Sequence, residues 1–223
     1  MGAVDAIPRE SRTPPAATAA FREADRGHRP RRTPLTWVRN GGLTTLLLLL
    51  PTLFVFGASA GARSINLAVS GAARQITGSG VQVLHIIGAR NDDVEVPADL
   101  AAPYVKVKFL KEMELGYAAG DLALCRGGAM TCAETAAVGM PAIYVPLPWG
   151  NGEQRRNALP VVEAGGGLIV EDGDLSPQWV TDTVVPLVRD GARLAAMSRA
   201  AAGYGRRDGD EALRRYLLKV VGA

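Results

Sequence analysis

From Thr52 onward, short apolar runs alternate with segments of helical periodicity, and this alternation constrains the fold more than any other feature of the chain. Thr52-Leu-Phe-Val-Phe56 is apolar almost without interruption, as expected of a strand covered on both faces. A helix is predicted over 62–76, where Ile65, Val69, Ala72, Ala73 and Ile76 recur at helical spacing. The spacing then predicts strands over 81–87 and 104–109, a helix over 112–119, a strand over 122–124 and a helix over 130–138. A strand over 142–145, a helix over 153–163, a strand over 167–170 and a helix over 177–189 follow. Tail helices over 192–202 and 209–220 have no strand after them. Strands separated by helices predict an α/β fold, a doubly wound parallel sheet with helices on both faces.

The chain divides at Pro51 into an atypical, mostly disordered leader over 1–51 and one globular domain over 52–223. Residues 1–42 are rich in Pro, Arg, Ala and Thr and bury too little apolar surface to offset the entropy of ordering them. The net charge is only +3, and its excess is local, with Arg22, Arg26, Arg29, Arg31, Arg32 and Arg39 in the leader. The domain is nearly balanced, which excludes bulk nucleic-acid binding through a basic face. The apolar run from Leu43 to Phe56 is shorter than the roughly 20 residues of a membrane span and contains Pro51. Arginines, an apolar run and Ala58-Ser59-Ala60 also imitate a secretory signal, but one ending near residue 60 lies beyond the usual position. Cys125 and Cys132 match neither zinc spacing nor a disulfide framework, so they are read as small buried hydrophobes of a reducing compartment.

In such a sheet, ligands sit beyond the carboxyl ends of the strands. Two strand-to-helix turns there are suited to phosphate. Gly57-Ala-Ser-Ala-Gly61 lets the backbone approach an anion, aims a helix N-terminus at it and adds the Ser59 hydroxyl. A tight turn with glycines for steric reasons is the plainer alternative. Cys125-Arg-Gly-Gly-Ala-Met-Thr-Cys-Ala-Glu134 has two readings. Thr131 and Glu134 are spaced as a capping box that satisfies the helix's own N–H groups. Alternatively, the backbone near Ala129 to Thr131 holds a diphosphate, and the two acceptor oxygens of Glu134 meet the two donors of a ribose diol. A third segment, from Pro146 to Asn157, offers Glu153, Gln154 and Asn157 to sugar hydroxyls. His85 alternates within an apolar strand and is read as a core histidine, and no Ser/His/Asp set is discernible.

These segments, in this order, resemble the C-terminal domain of the MurG family, the peptidoglycan N-acetylglucosaminyltransferases, over about Thr52 to the C-terminus. The most specific stretch joins Cys125 to Glu134, Gly139-Met-Pro-Ala-Ile-Tyr-Val-Pro-Leu-Pro148 and Gly150-Asn-Gly-Glu-Gln-Arg-Arg-Asn-Ala-Leu-Pro160. The resemblance implies one Rossmann-like half of a two-domain GT-B glycosyltransferase, with extra C-terminal helices. It implies donor contacts from Ser59 to the diphosphate and from the Leu110 backbone to uracil. Ala129, Met130, Thr131, Cys132 and Ala133 would line the phosphate turn, Glu134 would hold the ribose and Gln154 the GlcNAc hydroxyls. Gly57, Gly61, Glu153 and Asn157 are further candidates, and Arg9 is the candidate counterpart of an interdomain arginine. Ala58 and Ala60 stand where the family has Gly and Gln. The implied reaction is an inverting transfer of GlcNAc from UDP-GlcNAc to lipid I at the cytoplasmic face of the plasma membrane, with no cofactor and no obligatory metal. The catalytic base and acceptor site are expected on an N-terminal domain that these residues do not resemble. The alternatives are a non-catalytic UDP-sugar-binding module paired with a separate acceptor domain, and a secreted protein with a signal-like leader.

Overall fold

The computed structural model describes residues 36–39, 42–45, 50–57 and 61–221. Within the segment read as leader, β1 (Thr36–Arg39) and β2 (Gly42–Thr45) form an antiparallel hairpin. The domain that follows is built on β3 (Thr52–Phe56), β4 (Gln82–Ile86), β5 (Tyr104–Val107), β6 (Leu122–Cys125), β7 (Ala142–Tyr144) and β8 (Gly167–Ile169). Their order across the sheet is β5-β4-β3-β6-β7-β8, and every neighbouring pair is parallel. Starting at β3, the chain winds outward through β4 to β5, returns to the other side of β3 as β6 and winds outward again. The winding therefore reverses between β3 and β6, the place where a doubly wound sheet opens a crevice at its carboxyl ends.

Helices cover both faces because the central strands, β3 and β6, are apolar on both. Leu53 and Val55 face one layer with Ile65, Val69, Ile76, Val180 and Leu187, whereas Phe54 and Phe56 face the other with Tyr117, Cys132, Ala136 and Val161. The alternation of side chains along a strand explains why β3 carries no polar face. Helices α1 (Arg63–Gly71) and α2 (Ala73–Gly78) replace the single helix predicted over 62–76. The break falls after Gly71, which weakens a helix interior and here packs against Pro177. Next come α3 (Met113–Ala119), α4 (Ala129–Ala137) and α5 (Glu153–Glu163). The helix predicted over 177–189 is α6 (Pro177–Trp179), a π-helical turn (Val180–Val184) and α7 (Val185–Arg189). Pro186 has no N–H for the helical ladder, which accounts for the altered winding before it. In the tail are α8 (Gly191–Tyr204), packed on α4, and α9 (Gly209–Val221), none of whose residues is buried. Among the described residues no helix is long and apolar enough to cross a membrane.

His85 is fully buried in β4, with Nδ1 2.7 Å from the Tyr104 hydroxyl and Nε2 3.0 Å from Asn66 Oδ1. Asn66 Nδ2 donates in turn to the Ile87 carbonyl at 2.8 Å. Burial, and secondarily Lys106, lowers the imidazole from 6.5 to about 3. The unfolded chain therefore takes up the proton first, so this contribution to stability is full above pH 6.5 and is lost as the pH falls toward 3. At about 1.4 kcal/mol per pH unit, the wild type should lose on the order of 2 to 3 kcal/mol through His85 between pH 6.5 and about pH 4.5. His85→Gln should show a correspondingly smaller loss in urea titrations at the two pH values. Equal losses would remove His85 as the cause.

Candidate functional site at the reversal of winding

Phe56 and Cys125, the last residues of β3 and β6, are register partners, so the two turns leave the sheet side by side at the crevice. In the first turn Gly57 and Gly61 are described, whereas Ser59, like Arg9, lies outside the described residues. Gly61 has φ +85°, and a Cβ there would fall 2.1 Å from the Ile87 carbonyl oxygen, so this position requires glycine.

In the second turn α4 begins at Ala129, and its N-cap is Gly128 in extended conformation with no side-chain cap. This overturns the capping-box alternative: Thr131 is the third residue of the helix rather than its N-cap, and Glu134 lies another three positions in. Glu134, half-buried, instead accepts a hydrogen bond from the Tyr117 hydroxyl at 2.7 Å. The N–H groups of Ala129, Met130 and Thr131 precede the first intrahelical bond of α4 and lie at the positive end of its dipole. Cys132 N–H donates to the Gly128 carbonyl at 2.9 Å, which takes Cys132, and Ala133 after it, into the helical ladder. The donor set is thereby narrowed to 129–131. The Cys132 side chain is buried in the core, which pushes its thiol up to about 11. Cys125 is also buried, and both cysteines are free thiols.

The third segment closes against the second turn. A Cβ on Gly127 would meet the Gln154 carbonyl oxygen at 2.5 Å, so the absence of a side chain lets the start of α5 touch the turn. Asn157 Nδ2 donates to the Gly127 carbonyl at 3.3 Å, which ties the start of α5 to the turn. Gln154 Oε1 accepts from Leu147 N–H at 3.2 Å, which directs the side-chain amide. Leu147, Trp149, Asn151, Glu153 and Gln154 line a groove of about 310 Å³. Glu153 is exposed there, and Trp149 is 69% exposed. Leu110 is buried in the loop after β5, at the same rim but two strands from β3.

Sequence reasoning missed the residues that hold this arrangement together. Arg126, 8% exposed, donates through Nη1 to the Val145 carbonyl at 3.1 Å and to Asp172, and through Nη2 to Ser64 Oγ at 2.9 Å. Ser64 Oγ donates to Asp172 at 2.6 Å. One buried guanidinium thus ties the second turn to the end of β7, the segment after β8 and the first turn of α1. Only Arg126 itself was visible within the motif. Ser64 and Asp172 lie 62 and 46 residues away and carry no local signal.

The six-stranded parallel sheet with helices on both faces has the fold of one Rossmann-like half of a two-domain GT-B glycosyltransferase. Residues 52–213 match the Glycosyltransferase family 28 C-terminal domain, and the chain belongs to that family. It is 57% identical over 170 residues to the UDP-N-acetylglucosamine--N-acetylmuramyl-(pentapeptide) pyrophosphoryl-undecaprenol N-acetylglucosamine transferase of Mycobacterium sp. (strain JLS), covering 76% of this chain and 46% of that protein. The protein of the same name from Thermobifida fusca (strain YX) is 51% identical over 173 residues, covering 77% of this chain and 46% of that one. The chain thus spans about half the length of the curated relatives it matches. Among solved structures, MurG of Acinetobacter baumannii shares the fold with a TM-score of 0.68 at 22% identity, over 76% of this chain and 50% of that one.

Proposed function

We propose that the domain over 52–223 is the donor-binding half of an N-acetylglucosaminyltransferase that moves GlcNAc from UDP-GlcNAc to lipid I in peptidoglycan synthesis. The observation that carries this reading is the α4 N-terminus, whose first N–H groups precede any intrahelical bond, beside the glycine turn after β3, with Glu134 on the same helix held by Tyr117. The diphosphate lies on the N–H groups of Ala129, Met130 and Thr131, with Ser59 adding a contact from the first turn. Glu134 accepts from the ribose hydroxyls, the Leu110 backbone reads the uracil edge and the Gln154 amide binds GlcNAc hydroxyls. As the glycosidic bond to UDP breaks, negative charge grows on the diphosphate, and fixed N–H dipoles stabilise it without reorganising. The names of the relatives, which state both donor and acceptor, support the assignment. The base that deprotonates the acceptor hydroxyl and the lipid I site belong to the part of those relatives that this chain does not match. Through that part the complete enzyme works peripherally at the cytoplasmic face of the membrane.

Amide NMR of the isotopically labelled chain tests the phosphate assignment. Addition of UDP-GlcNAc should produce its largest shifts at Gly128, Ala129, Met130 and Thr131, with smaller ones at Gln154. Shifts confined to the exposed tail helix, or none at saturating ligand, would overturn it.

A further inference from the structure

Glu134 is not left to find the ribose by itself. We infer that Tyr117 is a positioning residue that fixes the Glu134 carboxylate for a vicinal diol and so sets the preference for ribose over deoxyribose; this rests on the donor-site reading above. Tyr117 lies on α3 with only 9% of its surface exposed. Its ring meets Phe54 edge-on at 5.8 Å and 85°, and Phe56 at 5.9 Å and 79°. Two strand residues beneath it therefore fix the ring, and Phe56 is the last residue of β3, beside the first glycine turn. The hydroxyl, so held, reaches Glu134 Oε2 at 2.7 Å.

The chemistry follows from counting acceptors. An ionised carboxylate offers about four lone-pair directions, and Tyr117 occupies one on Oε2. The other oxygen and the second direction on Oε2 remain for two hydroxyl donors of a ligand. Burial, reinforced by the bond to Glu134, pushes the Tyr117 phenol well above its ordinary range, so it remains a donor throughout neutral pH. A half-exposed glutamate with no such partner samples several rotamers, and the cost of ordering it falls on the ligand. Tyr117 removes that cost before the ligand arrives. It does so without touching the ligand, at a separation of 17 residues that no local motif encodes.

The test is Tyr117→Phe in the full chain, titrated calorimetrically with UDP and with 2′-deoxy-UDP. The bond is made with or without ligand, so what binding loses is the pre-ordering of one flexible side chain, and UDP affinity should fall roughly 2- to 10-fold. Affinity for 2′-deoxy-UDP should fall less, so that the wild-type preference for UDP shrinks. In a Glu134→Ala background the same substitution should have no further effect on UDP affinity. Equal losses for the two ligands, no loss for either, or a full additional loss in the Glu134→Ala background would assign Tyr117 a packing role only and overturn the inference. A wild type that binds UDP without preferring it over 2′-deoxy-UDP would also overturn it. A wild type that binds neither nucleotide would instead sink the donor-site reading on which the inference stands.

Discussion

Arg126→Met is expected to destabilise the folded domain by about 3 kcal/mol, because removing one member of a buried ion pair strands the other. Arg126 and Asp172 have side chains only 10% and 16% exposed. Methionine replaces the aliphatic volume of arginine but none of its donors. Asp172 would retain only Ser64, and the Val145 carbonyl would lose its partner. A second substitution, Asp172→Leu, should recover part of the loss, because replacing both charges of a buried pair by apolar groups is often close to neutral. Urea titrations of the two variants against the wild type measure both effects. A loss below about 1 kcal/mol for Arg126→Met would place the network with solvent-screened surface pairs instead. The same network joins the second turn to α1, the helix that follows the first turn, through Ser64, so on the proposed function a destabilised Arg126 variant should also lose UDP affinity.

Much of the fold was legible because the strands are predominantly apolar and the longer helices carry their own period. β3 and α5 fall where the residues predict, and the other elements of the sheet domain are displaced by only a few residues. The interruptions were not legible in the same way. The break between α1 and α2 depends on Gly71 meeting Pro177, a tertiary fact, and Pro186 marks an irregularity without specifying that it takes the form of a π-helical turn. The hairpin of β1 and β2 has no apolar alternation to announce it.

In the site, glycines and helix starts were readable, since their backbone demands are local. The readings of Ser59 and Arg9 fall outside the described residues. The competing roles of Thr131 and Glu134 could not be separated by spacing, because a capping box and a ribose clamp use the same residue types. The register of α4 removes the capping box, by starting the helix at Ala129. Tyr117, Ser64 and Asp172 could not be found from the sequence, because each meets its partner from a different element, 17 to 108 residues away. Asn157, a further candidate for sugar hydroxyls, also bonds the Gly127 carbonyl, a link across 30 residues that no local spacing encodes.

Glu134→Ala carries the second large effect and bears most directly on the claim that this domain holds a nucleoside diphosphate. Loss of hydrogen bonds to a charged group costs about 1.5 to 3 kcal/mol for even one bond, so loss of the ribose clamp should weaken UDP binding by at least roughly 10- to 150-fold. The fold should hold, since Glu134 is half-buried and caps no helix. Calorimetric titration of UDP into the wild type and into Glu134→Ala is the measurement. A one-to-one heat of binding in the wild type, strongly weakened in a variant that unfolds at the same urea concentration, is the predicted result; no binding by the wild type, or equal affinity in the two, would contradict the donor site.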